Sequence, residues 1–413
     1  MADLDTGDAG YLFKLLAEQK LDDDALKRNN PLVKWMPSET DFTSHRGKEV
    51  SIEYTTAQGM GATEAIASST ANPSKGTVFL VPQRHWTHNA GLQRVVLQNA
   101  AAGGSDSEFA DAMVNELDGV TQQFGNQLER QAWGTSSGVR GVVAVGTASP
   151  ITLTDIATAQ LFEIGQSFSA IDPSGDALRV GTGVVSGINR TTGVITYTGT
   201  ITALAVGDYL IGLGDGGNEL SVPGNFAFDG IQGWCPVTPS ASFLGVNQTT
   251  DRERIAGIYT DQSTASIRNA FIAAQAITDL MSGLALDQAA PLFCNPLNYA
   301  EVEMSVEASK VNAMSLKEKY GIGLEGISVG SMNFVKAAFC PVNHSFKIGK
   351  GAFIRGSSGK QPKLNNFNAD GSAYVYDPAT GTLKFTMSHD GNVYSRRPYH
   401  IMRVKVRAQT VLA

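Results

Sequence analysis

The chain carries six histidines and three cysteines, the side chains most often recruited for metal binding or nucleophilic work. Two histidines lie close together in His85-Trp86-Thr87-His88. At i and i+3 in a segment that reads as a strand, their imidazoles point to opposite faces, and no Cys or acid cluster nearby offers a third ligand. His45, His344, His389 and His400 are isolated in sequence. Cys235, Cys294 and Cys340 are odd in number and widely spaced, which suits buried thiols in a reducing compartment rather than a disulfide framework or a metal site.

Two motif matches fail on the order of the elements around them. Gly134-Thr135-Ser136-Ser137-Gly138 has the spacing of a hydrolase nucleophile elbow, which needs a strand before the serine and a helix after it; here a long helix comes first. Gly321-Ile322-Gly323-Leu324-Glu325-Gly326 has dinucleotide-binding spacing, but Ser315 to Tyr320 reads as helix and Ile327 to Val329 as strand, so no helix N-terminus faces a phosphate. Lys48, Lys350 and Lys360 follow glycines without the Ser or Thr of a phosphate loop. The sequence announces no convergent set of residues for catalysis, a cofactor or a metal.

The remaining chemistry is charge. Arg403, Lys405 and Arg407 share one face of a C-terminal strand whose other face is Met402, Val404 and Val406, and Arg396-Arg397 lies just upstream. Such a stripe can be a solvated strand face, can pair with acids of a neighbouring subunit or of the long helix, or can meet nucleic-acid phosphates. Acids gather at the other end: Asp3, Asp5, Asp8, Glu18, Asp22, Asp23 and Asp24 stand against Lys14 and Lys20.

The elements that must hold these residues follow from periodicity. Tyr11 to Leu26 can make a short amphipathic helix that Asn30-Pro31 ends, and Trp35-Met36-Pro37 is an extended stretch in need of a partner surface. Val50, Ile52 and Tyr54 alternate in a strand from Lys48, and Thr77 to Val81 is its partner. Between them GMGATEAIASSTANPSKG reads as a soft, structureless loop. A capping box, Ser105 with Glu108, opens a long helix to Trp133 with Phe109, Met113, Leu117, Val120, Phe124 and Leu128 on one stripe and Asp106, Asp111, Glu116, Asp118 and Glu129 on the opposite face. Short strands and turns between Pro150 and Pro223 suggest a small β-barrel or sandwich inserted into a larger domain. Helix and strand then alternate, and the chain after Ile327 is mostly strands.

Composition agrees with a surface that is covered. Over 413 residues only 17% are charged, against roughly 25% in ordinary soluble proteins. The length suits two to three domains. The net charge of −7 argues against tight nucleic-acid binding. No run of about 18 apolar residues crosses a membrane, and MADLDTGDAG is no secretory signal.

The order of arm, long ribbon, long acidic helix, α/β region and returning strands resembles that of the major capsid proteins of tailed bacteriophages, whose shell fold is shared with encapsulins and the herpesvirus capsid floor. Phe293-Cys294-Asn295-Pro296-Leu297-Asn298-Tyr299 looks like that family's strand, Asn-Pro, helix junction, and Leu324-Glu325-Gly326-Ile327-Ser328-Val329 like the turn that follows it. The resemblance implies an α+β fold with an N-terminal arm (1–41), an extended hairpin loop (42–92), a peripheral domain with the spine helix (93–149), an inserted β-module (150–223), an axial domain (224–345) and C-terminal strands returning to the peripheral domain (346–413). It implies a structural subunit forming pentamers and hexamers of an icosahedral shell around non-specifically packaged double-stranded DNA. A separate scaffolding protein and a portal would be its partners, with room for a decoration protein. The shell would be assembled in the host cytoplasm. An encapsulin-like compartment shell and a non-viral binding domain stand as alternatives. Candidate contacts between subunits are Trp35, Lys75, Arg396, Arg397, Arg403, Lys405 and Arg407; some relatives link a loop Lys to a neighbour's Asn, and Lys75 near the loop tip has no identifiable Asn partner. If the basic stripe pairs with a neighbour, Arg403→Glu weakens assembly more than it lowers the melting temperature, and equal assembly would sink that reading.

Overall fold

In a computed structural model the described residues are 30–42, 47–57, 59–93, 106–135, 139–172, 177–212, 228–281, 290–305, 312–315, 325–329, 332–359, 363–364, 374–377 and 382–407. The amphipathic reading of Tyr11 to Leu26 and the Ser105 cap lie outside them. The described part of the arm holds α1 (Pro31–Trp35) and β1 (Ser38–Glu39); the ribbon pairs β2 (Lys48–Thr55) with β3 (Lys75–Val81) and carries α2 (Glu64–Ser69) between them; β4 (Arg84–Gln93) leads to the long helix α3 (Asp106–Trp133). At 28 residues and 1.5 Å per residue, α3 is about 42 Å long. Its C-terminal half buries Val120, Phe124, Leu128, Ala132 and Trp133. The helix stops at Gly134, and the chain at Gly230 crosses its end so closely that any side chain there would strike the Gln131 and Gly134 carbonyls.

After α3 comes a closed β-barrel. Its strands are β5 (Gly141–Val145), β6 (Ile151–Leu153), β7 (Ser167–Asp172), β9 (Gly181–Asn189), β10 (Val194–Ile201) and β11 (Tyr209–Gly212), with β8 (Ala177–Leu178) appended to β7. The antiparallel pairings run β5 to β6, β6 to β10, β10 to β9, β9 to β7, β7 to β11 and β11 back to β5, so the ring has no free edge. Phe162, Phe168 and Tyr197 fill it, packed edge to face. Gly183 leaves the space that the Phe168 and Tyr197 rings occupy. The barrel takes in Gly141–Val145, so a boundary at 150 would cut between two paired strands.

The C-terminal half builds a second sheet in the order β12-β22-β17-β13-β16-β15-β14. These strands are β12 (Ile258–Asp261), β13 (Pro291–Cys294), β14 (Asn312–Ser315), β15 (Glu325–Val329), β16 (Met332–Lys336), β17 (His344–Ile348) and β22 (Ile401–Lys405). Short helices α4 (Ile231–Trp234) and α5 (Arg252–Ile255) precede it, and α6 (Ile267–Leu280) and α7 (Pro296–Ser305) belong to it. Ile267, Phe271 and Ala274 of α6 share a core with Leu292, Phe334, Met402 and Val404. The other face sends Phe293, Val335 and Phe346 into the main core with Trp133 and Trp234. At the β13 to α7 junction the Asn295 Oδ1 accepts the Leu297 N–H at 3.1 Å and its Nδ2 donates to the Cys340 carbonyl at 2.9 Å, with Pro296 at the first helical position.

A third sheet carries β1, β18 (Phe353–Ser357), β21 (Thr382–Ser395) and β19 (Lys363–Leu364), with β20 (Tyr374–Asp377) and β4 also on β21. It meets α3 through aromatic rings. Trp86 of β4 lies 4.7 Å from Phe124, and His389 of β21 sits between Phe124 and Phe228 at 6.3 and 5.1 Å. His389 is fully buried, and neither ring nitrogen makes a hydrogen bond to another described residue. Burial, and the charge of Arg355, hold its pKa down at about 3 against 6.5 for a free imidazole. The sign follows: the unfolded chain takes up this proton below 6.5 and the folded one does not, so this part of the stability is full above pH 6.5 and is lost as pH falls toward 3. His389→Leu is expected to gain about 2 kcal/mol of stability at pH 5 relative to pH 8, measured by denaturant unfolding at both pH values; an unchanged acid limb would contradict the burial argument.

Candidate assembly interface

The described part of the arm is tied down on its own chain. Helix α1 is too short to satisfy its own first N–H groups, and its N-cap residue Asn30 makes no side-chain cap. Glu129 of α3 does this instead: its Oε1 accepts the Leu32 N–H at 3.1 Å and the Trp133 indole N–H at 2.9 Å, and its Oε2 accepts the Val33 N–H at 2.8 Å. Read on the polar face of the long helix, Glu129 is in fact fully buried, because α1 covers that face. Trp35, expected in an extended stretch lying against a partner, closes the helix that Pro31 opens and is buried in its own chain. Its indole N–H donates to the Ile348 carbonyl at 3.1 Å and its ring meets Phe293 edge-on. β1 then pairs in parallel with β18, and Phe42 enters the core.

The ribbon is fixed at its root in a similar way. Gly47 has φ +95°, and a side chain there would strike the Val81 carbonyl. Lys48 donates to both Asp41 carboxylate oxygens at 2.6 Å, to the Tyr394 hydroxyl at 2.6 Å and to Glu39 at 3.1 Å, while Arg396 reaches Glu39 at 2.7 Å. The bond from Lys48 holds the Asp41 carboxyl below the usual carboxylate range. On the far strand the Asn392 side chain donates to the Pro82 carbonyl at 2.8 Å and the Leu80 N–H to the Leu244 carbonyl at 3.2 Å; Arg254 donates to the Tyr54 carbonyl at 2.6 Å. Val50, Ile52, Phe79 and Val81 face inward, with Phe79 5.0 Å from Trp234.

Beyond Thr55 the ribbon projects. Its tip holds the short helix α2, capped by Thr63, where a featureless loop is expected; Thr63-Glu64 is the N-terminal signal that reveals it. Met60 is 91% exposed and Ile66 48%. Lys75, paired in register with Thr55, is exposed where the tip begins.

The basic stripe does not form one surface. Arg403 is 4% exposed: β22 lies inside a sheet covered on both faces, so its guanidinium donates to the Cys235 carbonyl at 3.2 Å and to Gln232 at 3.0 Å and lies over the Phe346 ring. Arg403→Glu would place an acid in this site, so the expected effect moves from assembly to folding, with a lowered melting temperature. Lys405 pairs with Asp261 of β12 at 2.8 Å and Arg396 with Glu39 of the arm; Arg397 and Arg407 are exposed. His85 pairs with Asp390, which Lys363 also reaches at 3.1 Å. Burial pushes the Cys235 and Cys294 thiols up to about 12. Among the described residues no group of three His, Cys, Asp or Glu side chains could hold a metal ion, and no helix is long and apolar enough to cross a membrane. Gly321 to Leu324 lie outside the described residues, as do Ser136 to Gly138.

No family model and no curated protein matches the chain. Among solved structures it is similar to the capsid asymmetric unit of cyanophage A-1(L), at 12% identity over 92% of this chain and 93% of that one, with a TM-score of 0.48. It is similar also to mycobacterium phage Patience (11% identity, 97% and 89% covered, TM-score 0.44). A virus-like particle from Pyrococcus furiosus follows the chain over 96% of its length and 98% of its own, at 9% identity and a TM-score of 0.37. Replacing Lys48 by Met keeps the aliphatic stem and removes its bonds to Asp41, Tyr394 and Glu39 at the ribbon root. We expect a loss of about 1–3 kcal/mol in stability and faster amide exchange over 47–55 and 75–81; exchange confined to the tip would show that the root does not depend on Lys48.

Proposed function

We propose that this chain is the major subunit of an icosahedral capsid, assembling as pentamers and hexamers around double-stranded DNA. The observation that carries this reading is the ribbon: a two-stranded projection clamped at its root by Lys48, Arg254 and Asn392, and presenting exposed Met60 and Ile66 at its tip. An isolated two-stranded ribbon is marginal in water, and a soft apolar tip gains stability only against another surface. A second copy supplies that surface in a shell, where many repeated contacts add up. The barrel also turns Val145, Ile164, Val180 and Val206 outward, and the low charged fraction of the chain suits a subunit surrounded by its own kind.

In this reading the protein is structural and not an enzyme, and belongs to the virion, with assembly in the host cytoplasm. A separate scaffolding protein and a portal would set shell size and DNA entry, a decoration protein could bind the outside, and the packaged DNA would be contacted without sequence preference. Deleting Gly59 to Lys75 is expected to leave a folded, soluble subunit that makes no particles by negative-stain electron microscopy, while the intact chain makes closed shells whose denaturing gel shows monomer only. Normal particles from the deleted chain would overturn the reading. Intact particles that protect protein cargo but no DNA from digestion would favour a compartment shell instead.

A further inference from the structure

Exposed aliphatic side chains of the barrel gather at one rim. β5 runs away from the joint at Arg140 and β11 runs back toward it, so the end of β5 and the start of β11 lie at the far end of the module. There the Gly207 N–H donates to the Val143 carbonyl at 2.8 Å, which brings Val206 alongside the end of β5 and Val145. On the same rim the Thr202 N–H donates to the Val180 carbonyl at 2.7 Å. Val145, Val180 and Val206 are 64, 75 and 63% exposed, and Leu178 is exposed as well. The rim segments 145–150 and 199–207 hold no charged residue, and 178–184 holds one, Arg179. That guanidinium is engaged within the barrel: it donates to both Asp208 oxygens at 2.9 Å and lies 3.3 Å from Asp172. The strands around the ring are paired on both sides, so a partner has these side chains to meet and no strand edge to extend.

We infer that this rim is a contact between two copies of the chain, related by a two-fold axis that sets the same side chains against each other. Charge selects a second copy as the occupant. Each chain carries a net −7, so copies repel one another and meet at least cost where no charge is exposed. In a two-fold contact each group near the axis lies close to its own counterpart, so an unpaired charge would face its like. A rim whose one described charge is already cancelled by Asp208 and Asp172 meets that condition. The patch is small: four aliphatic side chains fall short of the roughly 800 Å² per partner of a standard interface. The contact is therefore weak between free subunits, and it gains strength where further contacts hold the same copies together. That last consequence, and it alone, rests on the shell reading.

Val206→Cys in the full soluble chain tests the contact, because the axis brings this position to its own copy. The native Cys235, Cys294 and Cys340 are buried and do not compete. Under a mild disulfide-forming oxidant, Val206→Cys is expected to give chain dimers on a denaturing gel about tenfold faster than Thr191→Cys, an exposed position at the opposite end of the barrel. Adding Val180→Asp to Val206→Cys sets a carboxylate against its like and is expected to slow the cross-link about tenfold, whereas Val180→Thr adds no charge and leaves it within about twofold. Both positions are exposed, so the variants keep the barrel core intact. Cross-linking no faster than that of Thr191→Cys, or unmoved by Val180→Asp, would overturn the proposal. Closed particles by electron microscopy from a Val206→Cys chain that forms no dimers would overturn the rim contact and leave the shell reading standing. Dimers as expected, with no particles from the intact chain, would count against the shell reading and leave the rim contact standing.

Discussion

Helix α1 has five residues and a capping position that makes no side-chain bond, so its leading N–H groups need an acceptor from elsewhere. Glu129 supplies both oxygens from the end of the long helix. An unmet buried donor costs about 1–3 kcal/mol, comparable with a sizeable fraction of the net stability of a domain. With α1 held, Trp35 reaches Ile348, β1 falls into register with β18, and Phe42 seals the space beside Tyr394 and Gly356. The contacts of the arm with the second and third sheets thus follow from one polar contact between α1 and the long helix.

The ribbon divides its labour along its length. At the root, charge-assisted bonds and a left-handed glycine fix the direction of departure; at the tip, a small-residue sequence leaves little that could pack on its own subunit. Rigid presentation of a soft surface lowers the ordering entropy lost when a partner is met, since only the tip has to be ordered.

Elements with strong local signals were readable from sequence. The β2 and β3 alternation, the stripe Val120, Phe124, Leu128 and the Asn295-Pro296 junction are all where their patterns place them. What escaped were residues whose role is decided by distant chain. Glu129 reads as an exposed acid because nothing within a helical turn announces α1 lying over it. Arg403 alternates like a surface residue because a period of two cannot tell a half-buried strand from a central one covered on both faces. β5 reads as part of the preceding domain because its barrel partners, β6 and β11, come later in the chain. Trp35 needs a surface to bury against, and that surface is its own chain.

The closed barrel has a topological consequence. The chain enters it at Arg140, whose N–H donates to the Leu210 carbonyl at 2.8 Å, and leaves it along β11, the strand paired with β5. Its two ends are therefore side by side, and removing or exchanging everything between them would ask the host fold to bridge only a short gap, at a closure entropy that grows slowly with length. A ring with no open edge also offers no strand to a stray partner while the rest of the chain is still unfolded. The module does not hang free, because its buried side chains are continuous with the main core around Leu128 and Trp133, and only its outer surface is independent of the joint.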